Sequence, residues 1–388
     1  MGSNNTAIGT VALLNNTTGS ENTATGVEAL KDNTTGVDNT ATGFRALMSN
    51  TSVDNTANGA NALQGNTTGS SNTAIGSQAL SFNTEGSGNT ATGGSALFSN
   101  TTGDFNTASG DEALFANTTG AQNTATGSAA LTSNTSGGAN TAYGFQALLN
   151  NTSGVGNIAI GFQALSANVN GNLNIAIGGT FLFSNTAGTD NIALGTSAGS
   201  NTTGSNNVDI ANAGVAGESD TIRIGKSTHD RAFIAGIRGR TTGDADAIAV
   251  LIDSDGQLGT MSSSRRFKHE IKPMDKASEA VLSLKPVTFN YKSDNTNTPQ
   301  FGLIVEDVAA VNPDVVVRDQ NGQIYTVRYD AVNEMLLNEF LKAHRKLETQ
   351  QKQIDYLTER LDQQAAQIQK VSAQLKLSKS APKTVLNQ

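Results

Sequence analysis

The segment 262–268 reads Ser-Ser-Ser-Arg-Arg-Phe-Lys and contains the side chains of this chain that are best suited to covalent chemistry. A serine hydroxyl becomes a good nucleophile only when a base removes its proton. A lysine amine can be that base if desolvation lowers its pKa toward neutrality. On composition alone, a Ser-rich linker followed by a solvated basic run is the simpler interpretation, because short motifs often match by chance.

Other groups of reactive side chains are weaker candidates. His269 and Glu270 follow Lys268 directly, but adjacent residues generally point apart, which argues against a Ser-His-acid triad. Asp111 and Glu112 form an adjacent acidic pair in the N-terminal half. Neighbours on a strand face opposite sides, which argues against a glycosidase with paired carboxylates.

The chain offers few ligands for a metal or a cofactor. It has 388 residues, no Cys and three His, of which His229 and His344 are expected at the surface. The absence of Cys excludes disulfides, thiolate zinc sites and iron–sulfur clusters. The residues at 253–256, Asp-Ser-Asp-Gly, resemble part of a calcium loop but lack its remaining ligands, so a plain turn is expected. We therefore expect no metal and no cofactor.

Charge is distributed unevenly along the chain. Residues 1–205 have 2 basic and 10 acidic side chains, whereas the following residues have 23 of each, so the net charge of −8 lies in the first part. No basic stripe with interleaved aromatic residues is present, so nucleic acid is not an expected partner. No run approaches the 18 apolar residues that would suggest a membrane span, and the N-terminus lacks the pattern of a signal peptide.

A period of 17 residues, with one step of 16, runs through the Asn- and Thr-rich region 1–205. Twelve units begin with Asn-Thr-Ala-x-Gly or Asn-Ile-Ala-x-Gly, continue with an Ala-Leu pair in most units and close with patterns such as Asn-Thr-Thr-Gly. Such repeats are typical of a solenoid rather than of a disordered segment. Because the first unit begins at Asn5 without a cap, we expect a longer protein upstream.

The repeat length predicts the shape of each coil. Seventeen residues with two Asn/Gly-rich corners leave room for two short strands and no helix, which predicts a parallel β-roll. In one unit the pleat places Asn22, Ala24 and Gly26 on one face, and Thr23 and Thr25 on the other. Stacking gives ladders of identical Asn, Ala and Leu. Because each coil offers little apolar core, several chains are expected to associate side by side.

These repeats resemble the head repeats of trimeric autotransporter adhesins, whose Asn-x-Val-Ala-Ile-Gly pattern is similar to Asn-Ile-Ala-Ile-Gly at 157–161. The resemblance implies a trimeric head or stalk built from β-rolls over residues 1–205, and no chemistry. It also implies a homotrimer with a cell-surface receptor or glycan as its external partner.

The region after the repeats divides into shorter parts. Short apolar strand patterns and an Asp-Gly turn predict a β-rich neck over residues 206–262. Residues 331–378 follow a heptad pattern that predicts a coiled coil, with a trimer compatible and a dimer not excluded. Its a positions are Asn333, Phe340, Leu347, Ile354, Leu361, Ile368 and Leu375, and its d positions include Leu336, Leu357 and Val371. Residues 379–388 are predicted to form a disordered tail.

The stretch 257–271, Gln-Leu-Gly-Thr-Met-Ser-Ser-Ser-Arg-Arg-Phe-Lys-His-Glu-Ile, resembles the start of a known domain. It is similar to the self-cleaving intramolecular chaperone of phage tailspikes and fibres, the endosialidase-type peptidase S74 family. Segments such as 284–291, 301–308 and 312–316 extend the resemblance to about residue 345. The resemblance implies an α+β chaperone domain over residues 263–345.

In that family a Ser and a Lys five residues later form a catalytic dyad, and the chain is cut beside the Ser. The resemblance therefore implies that Ser263 is the nucleophile, that Lys268 is its base, and that the cut lies at Ser262 and Ser263. Phage members commonly have Asp after the nucleophile, whereas this chain has Ser264. Five residues of separation do not share one helix face, so a bend must bring the dyad together.

The combined hypothesis is a trimeric fibre or adhesin, mostly β with a C-terminal α-helix, located in a virion tail fibre or on a bacterial surface. Its chaperone drives assembly and then removes itself by a single cut in cis, with no turnover of external substrates. One alternative is a bacterial adhesin that keeps its C-terminal trimerisation domain uncut. Less favoured alternatives are a glycan-degrading tailspike, and an ice-binding solenoid suggested by exposed pairs such as Thr23 and Thr25.

Overall fold

The chain separates into two compact units, Met1–Ala235 and Gly236–Gln388, in the computed structural model of the protein. The structure describes residues 2–179, 184–229, 231–235, 248–253, 255–319 and 321–379. The predicted tail therefore lies outside the described residues, apart from its first residue.

Unit 1 is a β-solenoid of about 13 turns with 17-residue repeats. Each turn contributes one three-residue strand, and the 14 strands form one parallel sheet in chain order. Equivalent residues pair in register, for example Thr23 with Thr40 and Ala24 with Ala41. The strands are β1 Thr6–Ile8, β2 Thr23–Thr25, β3 Thr40–Thr42, β4 Thr56–Asn58, β5 Thr73–Ile75, β6 Thr90–Thr92, β7 Thr107–Ser109, β8 Thr124–Thr126, β9 Thr141–Tyr143, β10 Ile158–Ile160, β11 Ile175–Ile177, β12 Ile192–Leu194, β13 Val208–Ile210 and β14 Ile222–Ile224.

The expectation of two strands per coil is wrong, because the Ala-Leu side of each coil forms turns. Glu28 and Leu30 there have φ angles of 59° and 48°, in the left-handed region that a strand does not use. These turns are nevertheless stitched between coils, since the Leu30 N–H donates to the Ala46 carbonyl at 3.0 Å. Gly follows every described strand of this sheet except β13, which is followed by Ala211. A Cβ on Gly26, for example, would collide with the Gly43 carbonyl of the next coil.

The interior of the solenoid consists of the predicted ladders of Ala, Leu and Asn. Nine leucines, from Leu30 to Leu165, are fully buried, and the strand alanines stack beside them. Two Asn ladders flank this apolar core. The Asn106 Nδ2 donates to the Gly120 carbonyl across its own coil at 2.8 Å, and the Asn106 Oδ1 accepts from the Asn123 N–H of the next coil at 3.0 Å. The amides thus satisfy buried backbone groups that Ala and Leu cannot reach.

The last two strands replace the interior Ala by charged residues. Asp209 is buried in β13, and its Oδ2 accepts from the Thr202 hydroxyl at 2.6 Å. Burial raises the pKa of the Asp209 carboxyl, and the Thr202 hydrogen bond opposes that rise. Arg223 in β14 forms an ion pair with Glu218 at 2.7 Å. The apolar ladder therefore ends in polar residues at this end of the solenoid.

Unit 2 consists of three small antiparallel sheets, three 3₁₀ segments and two α-helices in its described part. The predicted Asp-Gly turn joins β15 and β16. In chain order the elements are β15 Leu251–Ile252, β16 Leu258–Gly259, a 3₁₀ segment Arg265–Phe267, a second Asp275–Ser283, β17 Val287–Phe289, β18 Gln300–Gly302, α1 Val305–Val311, a third 3₁₀ segment Pro313–Val315, β19 Val316–Arg318, β20 Ile324–Val327 and α2 Tyr329–Lys379.

The core of unit 2 is small compared with its length. It is built from Val281, Val308, Val315, Val327, Val332 and Met335. The long helix predicted at residues 331–378 is confirmed as α2, which has 51 residues. Among the described helices, none is long and apolar enough to cross a membrane.

Candidate cleavage and assembly site

The Ser-rich segment leads directly into the first 3₁₀ segment of unit 2. Ser264 has extended backbone angles and caps that segment, and the Phe267 N–H donates to the Ser264 carbonyl at 3.1 Å. Lys268 ends it and donates its backbone N–H to the Arg265 carbonyl at 3.1 Å. The Ser262 hydroxyl accepts from the Ser264 N–H at 3.3 Å. Local backbone bonds therefore form a 3₁₀ turn between Ser263 and Lys268.

The single chain leaves the predicted dyad in water. Ser263 and Lys268 are both exposed, and within the described part of the chain neither side chain forms a hydrogen bond. The roles of these two residues, and the cut at Ser262 and Ser263, stay predictions.

The histidines add no catalytic group to this segment. His269 and Glu270 are exposed, and in the described residues their side chains form no hydrogen bond or ion pair. The His229 Nδ1 accepts from the Lys226 N–H at 3.3 Å within a turn. The His344 Nε2 lies 3.4 Å from a Glu348 carboxylate oxygen on the exposed surface of α2.

A partly buried polar cluster that the sequence did not reveal joins the second 3₁₀ segment to α2. Ser278 is fully buried and donates its hydroxyl to the Glu339 carboxylate at 2.5 Å. The Lys342 Nζ donates to Glu339 at 2.6 Å, to the Asp275 carbonyl at 2.5 Å and to the Ser278 Oγ at 3.2 Å. The Asn338 Nδ2 donates to the Ser278 Oγ at 2.7 Å. Hydrogen bonds from Lys342 and Ser278 lower the pKa of the Glu339 carboxyl.

No sequence signal connects the members of this cluster, because about 60 residues separate Ser278 from its partners on α2. The one local hint is the Glu339 and Lys342 pair, which has the i, i+3 spacing of neighbours on a helix surface. Such pairs are usually solvated, so the hint does not predict a buried serine beneath them.

Helix α2 exposes the apolar positions of its heptads. Phe340 is 67 % exposed, Leu347 63 % and Leu361 64 %, although large apolar side chains are normally buried. Repeated at a and d positions over several heptads, such a stripe is the seam of a coiled coil. In the single chain this seam has no partner among the described residues.

Ligand sites are sparse in the described part of the chain. It contains no group of three or more His, Cys, Asp or Glu that could hold a metal ion. A cleft of about 250 Å³ in unit 2 is lined by residues that include Phe289, Tyr291 and Tyr325, and its lining does not include Ser263 or Lys268.

Comparison with known protein families gives a match within unit 2. Residues 263–317 match the family described as chaperone of endosialidase, peptidase S74. Over these residues unit 2 is similar to that family. The match begins at Ser263 itself, includes Lys268 and ends within β19, before α2. The resemblance noted in the sequence is thus confirmed for residues 263–317.

No curated protein and no solved structure matches the chain. The repeats form the predicted solenoid, but their likeness to the heads of trimeric autotransporter adhesins stays a resemblance.

Proposed function

We propose that the protein is a trimeric, fibre-type structural protein whose C-terminal chaperone domain aligns three chains and then removes itself. The observation that carries the proposal is the arrangement of parts along the chain. The solenoid is followed by residues 263–317, which match the chaperone-of-endosialidase family, and then by a 51-residue helix whose apolar seam has no partner among the described residues.

Alignment of three parallel chains is the step in which a fibre of this kind needs help. Non-local pairing loses chain entropy before it gains contacts, so an unaided trimer of long rods would assemble slowly and out of register. A coiled coil of α2 fixes the register at one end first. The remaining chain then folds with its partners held nearby, which raises their effective concentration.

The proposed cut follows the logic of an activated serine. Lys268 accepts the hydroxyl proton of Ser263, and the Ser263 oxygen attacks the carbonyl carbon of Ser262. The peptide C–N bond breaks as an ester forms, and the proton passes to the released Ser263 amine. Water then hydrolyses the ester, leaving a carboxylate on Ser262 and a free hydroxyl on Ser263. One water is consumed for each cut, and no external substrate turns over.

Exposure of the dyad in the single chain supports a cut that waits for assembly. Packing of the chaperone domains in the trimer would exclude water from Lys268 and lower the cost of its neutral form. Removal of the chaperone would leave residues 1–262 kinetically trapped as a trimer. We place the protein in a virion fibre or on a bacterial surface, with a receptor or glycan as external partner.

Intact mass tests the proposal directly, on freshly expressed wild type beside Ser263→Ala and Lys268→Ala. We expect fragments near residues 1–262 and 263–388 in wild type, and full-length chains in both variants. A trimeric but full-length wild-type chain would contradict self-cleavage and favour an adhesin that keeps its trimerisation domain. Cleavage of the Lys268→Ala variant to the same extent as wild type would show that Lys268 is not the base.

A further inference from the structure

The body of unit 2 covers only one face of α2. The covered or half-buried residues on the first turns of the helix are Ala331, Val332, Met335, Asn338, Glu339 and Lys342. With Phe340 at position a, these residues occupy positions g, c and f of the heptads. Leu336 and Phe340, at positions d and a, are exposed. The rest of unit 2 therefore packs on a face of α2 that does not include its apolar seam, and it leaves that seam accessible to other chains.

The polar part of this contact is the cluster formed by Ser278, Asn338, Glu339 and Lys342. The three hydrogen bonds of the Lys342 Nζ, to Asp275, Ser278 and Glu339, use all three donors of an ammonium group. Lys342 is thus not available as a base for Ser278, and the fully buried Ser278 hydroxyl is closed to a substrate. The cluster has the residue types of a Ser-Lys site, but its hydrogen bonds serve to hold the second 3₁₀ segment on α2.

The position of this cluster along the chain gives it a role. Asp275, whose carbonyl accepts from Lys342, begins the second 3₁₀ segment, and only residues 269–274 separate it from Lys268. Glu270 and Asp275 have φ angles of 51° and 42°, which fix two unusual bends in this short connection. The cleavage segment is therefore tied to α2 through a tether of six residues.

Building on the function proposed above, we propose that the Ser278, Asn338, Glu339 and Lys342 cluster is a positioning site for self-cleavage. It holds the second 3₁₀ segment on α2, so that assembly of the α2 seams brings residues 262–268 of each chain to a defined place. Without it, the helices still assemble but the Ser263 and Lys268 side chains are no longer held in register. Small misplacements of reacting groups commonly cost about 100-fold in rate.

The test compares Lys342→Met with Lys352→Met. Both changes remove one ammonium group from α2, but Lys352 lies at an outer f position, is exposed and forms no hydrogen bond or ion pair among the described residues. The rate of cleavage is measured by intact mass. Native mass and the melting midpoint are measured on the same variants in a Ser263→Ala background, which stays uncut. Ser278→Ala is a second disruption, and Lys342→Arg restores donors to the cluster.

We expect Lys342→Met and Ser278→Ala to slow cleavage by about 10- to 100-fold while the native mass remains that of the trimer. Lys352→Met should cleave at the wild-type rate, and Lys342→Arg should recover part of the lost rate. Cleavage within twofold of wild type in both disrupted variants would overturn the positioning role alone. Loss of the trimer in step with loss of cleavage would overturn it in favour of a plain assembly contact. An uncut, trimeric wild type would overturn self-cleavage itself and this role with it.

Discussion

The two units differ in how much of their structure a single chain completes. The solenoid has nine fully buried leucines, continuous Ala columns and Asn ladders that satisfy its inner backbone groups. In its described part, unit 2 has six buried apolar residues, and most of the apolar side chains of α2 are exposed. The solenoid coils thus have their core within one chain, whereas under the proposed function unit 2 would gain most of its apolar burial from other chains.

This difference shows where association must begin. A coil that adds to an existing coil gains hydrogen bonds and a buried Leu immediately, as in other repeat proteins. Helix α2 gains little until other copies cover its seam. The two units are therefore suited to different tasks. The solenoid can extend coil by coil within one chain, whereas the folding of α2 would be coupled to its association with other copies of the chain.

The largest expected effect comes from charges in the α2 seam. Phe340→Asp together with Leu347→Asp, in the uncut Ser263→Ala background, should abolish the trimer at micromolar concentration. Burial of each such side chain contributes about 1.5–3 kcal/mol, and three chains lose two each. Native mass should give a single chain, while the β signal in circular dichroism persists.

Thr349→Asp together with Lys352→Asp is the matched control, because both residues lie on outer heptad positions of the same helix. This variant should remain trimeric. Persistence of the trimer after the seam changes would show that another surface joins the chains. Loss of the β signal along with the trimer would show that the solenoid also depends on its partners.

Regular periodicity made the fold of both units predictable in outline. The 17-residue period predicted the solenoid, the Asn-Thr-Ala alternation predicted which side chains are buried, and the heptads predicted α2 within two residues of its bounds. The prediction of a second strand in each coil was wrong because of the backbone conformation there. Residues such as Glu28 and Leu30 rarely adopt positive φ, and only the stacking of neighbouring coils stabilises them there.

A smaller effect is expected from the Asn ladder, which tests whether the solenoid interior is complete in one chain. Asn106→Leu keeps the number and branching of the side-chain heavy atoms but leaves the buried Asn123 N–H without its partner. It also removes one of two hydrogen bonds to the Gly120 carbonyl, which still accepts from the Asn117 Nδ2. An unsatisfied buried group costs about 1–3 kcal/mol, so denaturant unfolding should show a loss of that size. The exposed Asn58 of β4 supplies the control Asn58→Leu, which should change stability little. Similar losses in both variants would contradict a structural role for the ladder.

The candidate site was less predictable than the fold. Its residue types lie within seven residues, but composition alone favoured a linker there, and the resemblance to the peptidase S74 family is what singled out Ser263 and Lys268 as a predicted dyad. The Ser278 cluster depends on contacts across about 60 residues, which no local pattern encodes. The environment of Lys268 depends on what covers it after assembly, and that is a property of several chains.

The smallest expected effect concerns the polar end of the solenoid, where Asp209 replaces the buried Ala of the preceding strands. Because burial raises the pKa of Asp209 above its ordinary value of 3.8, the folded solenoid binds this proton more tightly than the unfolded chain does. Its contribution to stability is full below pH 3.8 and is lost as the pH rises through the folded pKa. Asp209→Asn keeps an acceptor for the Thr202 hydroxyl and removes the charge, so it should raise the melting midpoint at pH 7 by a few degrees.

The gain from Asp209→Asn should vanish at about pH 3, where the carboxyl is protonated in both states. Asp190→Asn, at an exposed residue near the same end, should have no such pH-dependent effect. A lower midpoint for Asp209→Asn at pH 7 would mean that the charge is stabilised in place, with Arg223 as its natural partner. An ion-pair network would then stabilise the C-terminal end of the solenoid. In that case both units would depend on buried polar groups, the solenoid at Asp209 and unit 2 at its Ser278 cluster.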